Sequence, residues 1–258
     1  HQNGNIERLT NVVQIIQDMQ IGQSFGGSID LDNIEVVALI ALKEESWKIG
    51  EVHQMAFTIK AATQSKHIDR VIVSTNDKRI INIAKSLGAE CPFIRSKNLT
   101  NEYINLDTVY KDALLNMEES NIYPDLIVTL EETFPFRRSG LIDDMIDHTL
   151  NSGLDTIIAA KSESGSLWQE DDTSSFVRLD SGDAPRLYKE NSYIGLKGLC
   201  CVTHPEFVRQ EVIFGSKIGL FEVDSLLASF EVRSDSDREI AKQLLKVVSD
   251  KSILIRKI

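Results

Sequence analysis

An α/β fold built on a doubly wound, mostly parallel sheet is the class this sequence predicts, and three observations predict it. Apolar runs rich in Val and Ile, "EVVALIAL", "RVIVST", "DLIVTL" and "DTIIAAK", recur along the chain. Segments with apolar residues at helical spacing separate them. The runs also lack the polar alternation of a strand with one wet face, so each reads as a strand covered on both sides. Strands of this kind alternating with helices form a sheet with helices on both faces.

The elements follow in order. Over residues 6–19 the apolar positions Ile6, Leu9, Val12, Val13, Ile16 and Met19 mark an amphipathic helix, and "IGQSFGGS" then breaks it. Residues 1–33 therefore read as a helical appendage and linker ahead of a domain over residues 34–258. Within that domain the strand at 35–42 leads to a helix at 51–65, a strand at 70–75 and a helix at 77–88. A short strand "CPFIR" at 91–95 precedes a helix at 105–120, the strand at 125–130, a helix at 140–153 and the strand at 155–161. Residues 162–189 are polar and too long for a simple connection, so they read as an inserted arm. A second apolar run, "YIGLKGLCCVTH", follows, and the helix "DREIAKQLLKVVSD" comes near the end.

Composition narrows the function. The chain has 258 residues and a formal net charge of -11, which opposes extended contact with a nucleic-acid backbone. No apolar run approaches the length of a membrane span. Cys91, Cys200 and Cys201 have no metal-ligand spacing and read as reduced thiols. With no basic, apolar-cored leader in view, the expected compartment is a reducing cytoplasm.

In an open parallel sheet, ligands bind beyond the carboxyl ends of the strands. Three strand ends carry polar clusters. The first is "KEESWK", with Lys43, Ser46 and Lys48 around Glu44 and Glu45. The second is "STND", where Asn76 and Asp77 either face a ligand or cap the next helix. The third is "LEETFPFRR", where Arg137 and Arg138 suit a phosphate or carboxylate, or else pair with Glu131 and Glu132.

Taken together, "VVALIAL", "AFTIKAATQSKHIDRVIVSTND", "IAKSLGAECPFIRSKNLT", "YPDLIVTLEETFPFRRSGLIDDMI" and "YKENSYI" resemble the acylneuraminate cytidylyltransferases, or CMP-sialic acid synthetases. The likeness runs over roughly residues 35–245 and rests on a succession of motifs. It implies a Rossmann-like nucleotidyltransferase fold, a homodimer with the insertion as its arm, and transfer of CMP from CTP to a nine-carbon sugar acid with Mg2+ as cofactor. Carried onto matching positions, it implies nucleotide contacts from Lys43, Ser46, Lys48, Asn76, Asp77 and Arg95. Lys43 and Arg137 take the catalytic places. Glu131, Thr133, Tyr188 and Asn191 fall on the sugar side, and Glu231 at the metal motif.

The chain also departs from that pattern. Glu44 and Glu45 stand where the family's loop has two glycines, a short segment after Gly50 is absent, and "EVR" at 231–233 replaces a metal-binding Asp-Ile-Asp. A like charge about 5 Å away costs roughly 3 kcal/mol at an effective dielectric near 20. Glutamates turned toward a triphosphate would thus oppose its binding. Two readings follow: an enzyme with a rewritten loop, or a catalytically silent relative kept as a binding or regulatory module. A third has the N-terminal helix docking on a partner rather than packing on its own domain.

Overall fold

The computed structural model describes residues 34–43, 47–101, 103–180 and 192–255. The expected helix at 6–19 and its linker lie outside these residues. The elements are β1 (Val36–Ala41), β2 (Lys48–Ile49), β3 (Val52–His53), α1 (Gln54–Thr63), β4 (Arg70–Ser74), α2 (Lys78–Ser86), α3 (Leu106–Glu119), β5 (Leu126–Thr129) and α4 (Leu141–Ser152). They continue with β6 (Thr156–Glu163), β7 (Trp168–Glu170), β8 (Phe176–Arg178), β9 (Ser192–Gly195), β10 (Cys201–Thr203), α5 (Pro205–Arg209), β11 (Ile218–Glu222) and α6 (Asp235–Ile255).

A seven-stranded sheet runs in the order β11-β6-β10-β5-β1-β4, with β9 added to β6. Strand β1 pairs in parallel with β4 and with β5, and β11 pairs in parallel with β6. The expected α/β class is the observed one, with a mixed sheet in which β4, β1, β5, β6 and β11 run one way and β9 and β10 the other. Its period-2 geometry sorts the apolar run of β1 into two cores. Val36, Ala38, Ile40 and Leu42 join the cluster under α1, α2 and α4, while Val37 and Leu39 join the one under α3 and α5. A continuous apolar run is thus what a doubly covered strand requires.

Several elements differ from the sequence reading. The strand expected at 91–95 shrinks to a single parallel bridge between Ile72 and Glu90, and Pro92, which lacks an N–H, follows at once. Arg95 is instead tied by its N–H to the carbonyl of Thr75 at 3.1 Å. The apolar run at 193–204 splits, because β10 enters the sheet antiparallel between β5 and β6 while β9 pairs with the far end of β6. Helix α1 starts at Gln54, not 51, because the β2–β3 hairpin occupies the residues before it, turning on Gly50 at φ 63°. Strand β11 carries too weak a pattern to be read from sequence. No described helix is long and apolar enough to cross a membrane.

A smaller core sets the position of the last helix. Ile49 of β2, Phe136 and Val232 pack with Ala241 of α6, with Phe57 and Phe230 alongside. This anchors the segment before α6 against the start of α1.

Candidate nucleotide site

Strands β1 and β5 are neighbours, yet the chain leaves β1 toward β4 and leaves β5 toward the other side of the sheet. Loops that diverge from adjacent strand ends leave a crevice between them. Here it is a cleft of ≈ 780 Å³ lined by Ala41 and Lys43 after β1, Glu131, Glu132 and Thr133 after β5, and by Trp47, Gln54, Arg95, Val232 and Arg233. Leu99, Ile104, Leu106 and Val109 give part of the lining an apolar character. Among the described residues three cationic side chains, Lys43, Arg95 and Arg233, line it against two carboxylates, Glu131 and Glu132. Such a balance favours an anionic ligand.

The fold brings Lys43, Arg95, Glu131 and Thr133 to this one cleft. Lys43 is exposed there, one residue beyond the buried Leu42. Arg95 is only 4% exposed, and its guanidinium donates to the carbonyl of Leu42, so it joins the ends of β1 and β4. Residues Ser46, Tyr188 and Asn191 lie outside the described residues, as do Glu44 and Glu45.

Lys48, Asn76, Asp77 and Arg137 are not among the residues that line the cleft. Lys48 sits exposed in the β2–β3 hairpin. Asp77 caps α2, accepting from the Arg79 N–H at 2.7 Å and pairing with the Arg79 guanidinium at 2.7 Å. That partner holds the Asp77 carboxyl below the usual carboxylate range. Of the two roles weighed for "STND", the geometry places Asp77 in the capping one.

Arg137 departs furthest from the catalytic role carried over to it. Its Nε donates to Leu199 O at 2.6 Å, Nη1 to Thr58 Oγ1 at 2.6 Å and Phe134 O at 2.8 Å, and Nη2 to Gly198 O at 2.7 Å and to Glu131 O. These bonds tie the turn after β5 to the turn before β10 and to α1. Burial lowers its pKa to about 10, so it stays protonated at neutral pH. All its donor nitrogens are engaged with the protein, and the geometry makes it a positioning residue for Glu131.

Glu131 itself is held close. Its N–H donates to Gly198 O at 2.8 Å, and a Cβ on Gly198 would lie 2.6 Å from the Glu131 Cδ. Its carboxylate meets Arg233 Nη2 at 3.4 Å, and Arg233 Nε donates to Glu231 Oε1 at 2.6 Å.

Two further residues escaped the sequence reading. Gln54, 1% exposed, donates from Nε2 to Val232 O at 3.2 Å, and Val232 N–H donates to Thr133 O at 2.7 Å. The Gln54 Oε1 and Thr133 Oγ1 are buried without a partner among the described residues. A glutamine on the apolar face of "QMAFTIKAA" was the available signal. Trp47 lies under the Arg238 guanidinium, 4.4 Å from its ring centroid, which pins the end of the first loop to α6.

The divalent ion that the resemblance implies fits this donor set poorly. No group of three or more His, Cys, Asp or Glu suited to a metal occurs among the described residues. Glu231, the proposed ligand, is bound to Arg233 instead. At about 4 Å a guanidinium would repel a divalent cation by roughly 8 kcal/mol at an effective dielectric near 20, which cancels the pull of one of the two carboxylates.

Comparison with known proteins agrees with the fold. A protein of Campylobacter coli named post-translational flagellin modification protein B is 28% identical over 210 residues, 77% of this chain and 86% of that one. The CMP-N,N'-diacetyllegionaminic acid synthase of Legionella pneumophila is 21% identical over 197 residues, 75% of this chain and 85% of that one. A solved CMP:2-keto-3-deoxy-manno-octonic acid synthetase complexed with CTP superposes with a TM-score of 0.63 at 12% identity, covering 82% of this chain and 98% of that one, and so shares the fold. The family described as cytidylyltransferase matches residues 48–197, more than half of the sequence, and the chain belongs to that family.

Proposed function

We propose that the protein transfers CMP from CTP to the anomeric hydroxyl of a nonulosonic, sialic-acid-like sugar acid and releases pyrophosphate. The hydroxyl oxygen bonds to the α-phosphorus, the bond to the β-phosphate bridge breaks, and the hydroxyl proton passes to solvent. The observation that carries this reading is the family membership joined to a cleft, at the switch point of the sheet, with Lys43 and Arg95 on its wall. The legionaminic acid synthase among the relatives supports a nine-carbon 2-keto acid as acceptor. A catalytically silent module draws no support from these comparisons.

Within this reading Lys43 supplies charge to the phosphates, and Arg95 fixes the loop end from which Lys43 projects. Glu131 and Thr133 face the sugar side. Nucleotide roles for Ser46, Lys48, Asn76 and Asp77, and sugar contacts from Tyr188 and Asn191, rest on the resemblance alone.

A homodimer is part of the proposal. It is supported by the β7–β8 hairpin within the inserted arm, which exposes Trp168 and Phe176 on one face and Val177 and Leu179 on the other. A cytoplasmic location accords with three free cysteines. The decisive assay is pyrophosphate release from CTP with legionaminic, pseudaminic and N-acetylneuraminic acids, alongside calorimetry with CTP. Turnover with at least one acid is expected; absence of both binding and turnover would end the reading.

A further inference from the structure

The wall of the cleft contains a cation of its own. Arg233 lies between Glu131 and Glu231, with Nη2 3.4 Å from one carboxylate and Nε 2.6 Å from the other. Its Nη1 has no partner among the described residues, and the residue lines the cleft. The backbone that presents it is fixed from three directions. Gln54 Nε2 holds Val232 O, Val232 N–H holds Thr133 O, and the Arg233 N–H donates to Asp237 Oδ2 at 3.0 Å. The Val232 side chain is fully buried against Ile49, Phe136 and Ala241. The Arg233 side chain is 62% exposed, and the two carboxylates hold its guanidinium at the cleft wall.

We propose that Arg233 is the resident counter-ion of this cleft: it takes the place between Glu131 and Glu231 that a divalent cation would otherwise occupy, and offers its free N–H donors to the nucleotide's phosphoryl oxygens. The inference rests on the cytidylyltransferase reading for its ligand. Phosphoryl oxygens suit the site because a guanidinium donates along fixed directions that match them in pairs. The two carboxylates then act as its anchors, and any Mg2+ that reaches the cleft arrives on the triphosphate rather than on the protein.

Two measurements test this on the full chain, with circular dichroism to confirm that each variant folds. The first is Mn2+ binding to nucleotide-free protein, read by the free-ion electron paramagnetic resonance signal. Wild type is expected to leave the signal unchanged, while Arg233→Asp, which gathers three carboxylates, is expected to bind with at least tenfold higher affinity. Wild type that binds Mn2+ as tightly as the variant overturns the proposal.

The second is CTP affinity by calorimetry, with Mg2+ and with EDTA. Wild-type affinity is expected to change less than about threefold between the two, and Arg233→Ala to weaken binding about tenfold in EDTA. CTP binding that needs Mg2+ and survives Arg233→Ala overturns this inference alone. No CTP binding by wild type in either condition overturns the functional reading instead.

Discussion

Removing the Arg137 side chain tests whether this residue builds the cleft or works in it. In Arg137→Ala, Glu131 O keeps the Thr58 hydroxyl as a donor and Gly198 O keeps the Glu131 N–H. The carbonyls of Phe134 and Leu199 have no other described donor. A buried acceptor left without a donor costs about 1–3 kcal/mol, so the two together cost on the order of 4 kcal/mol. For a chain of this size each kcal/mol moves Tm by roughly 2–4 °C, which gives a fall of about 8–16 °C. Differential scanning calorimetry reads it directly. Arg137→Lys should recover little, because an ammonium cannot span acceptors arranged for a planar fork. A fall under about 3 °C, with CTP affinity lost more than tenfold, would refute the positioning role and return Arg137 to direct contact with ligand.

Three other outcomes follow from the same geometry. Gly198→Ala sets a Cβ against the Glu131 side chain and should push its carboxylate off Arg233, raising KM for the acceptor several-fold while Tm shifts by only about 2 °C. Burial raises the thiol pKa of Cys201 to about 12 and pushes Cys200 up as well, so a disulfide-exchange reagent should label at most Cys91 in native protein and all three cysteines after unfolding. Burial also lowers the pKa of His204 from 6.5, so the unfolded chain takes up a proton first. Stability should therefore drop as pH falls below about 6.5 toward the lower folded value, and His204→Gln should flatten that limb of a urea-denaturation series.

What the sequence determined by itself was the class of fold and the end of the sheet at which its polar strand-end loops gather. Runs such as "VVALIA" and "LIVT" have no polar alternation, and only a strand with helices on both faces can bury such a run. Loops after these strands open at one end of the sheet, and the structure, by setting β1 beside β5, then brings Lys43 and Glu131 to one cleft. Short strands were not legible. Strand β10 is three residues long inside a longer apolar run, and its antiparallel entry between β5 and β6 depends on which edge was open.

Tertiary structure decided the roles of the charged residues. Asp77, Arg137 and Arg233 look alike in sequence, as polar groups near strand ends or motifs, and the fold assigns them to a helix cap, a clamp on backbone carbonyls and a cleft cation. An ionised group satisfies whichever partners lie within about 3 Å, and those partners come from segments as distant in sequence as Glu131 and Arg233. Gln54 shows the same limit from the other side. Its amide is a blemish in an apolar helix face until the fold sets Val232 O beside it and makes it part of the cleft wall.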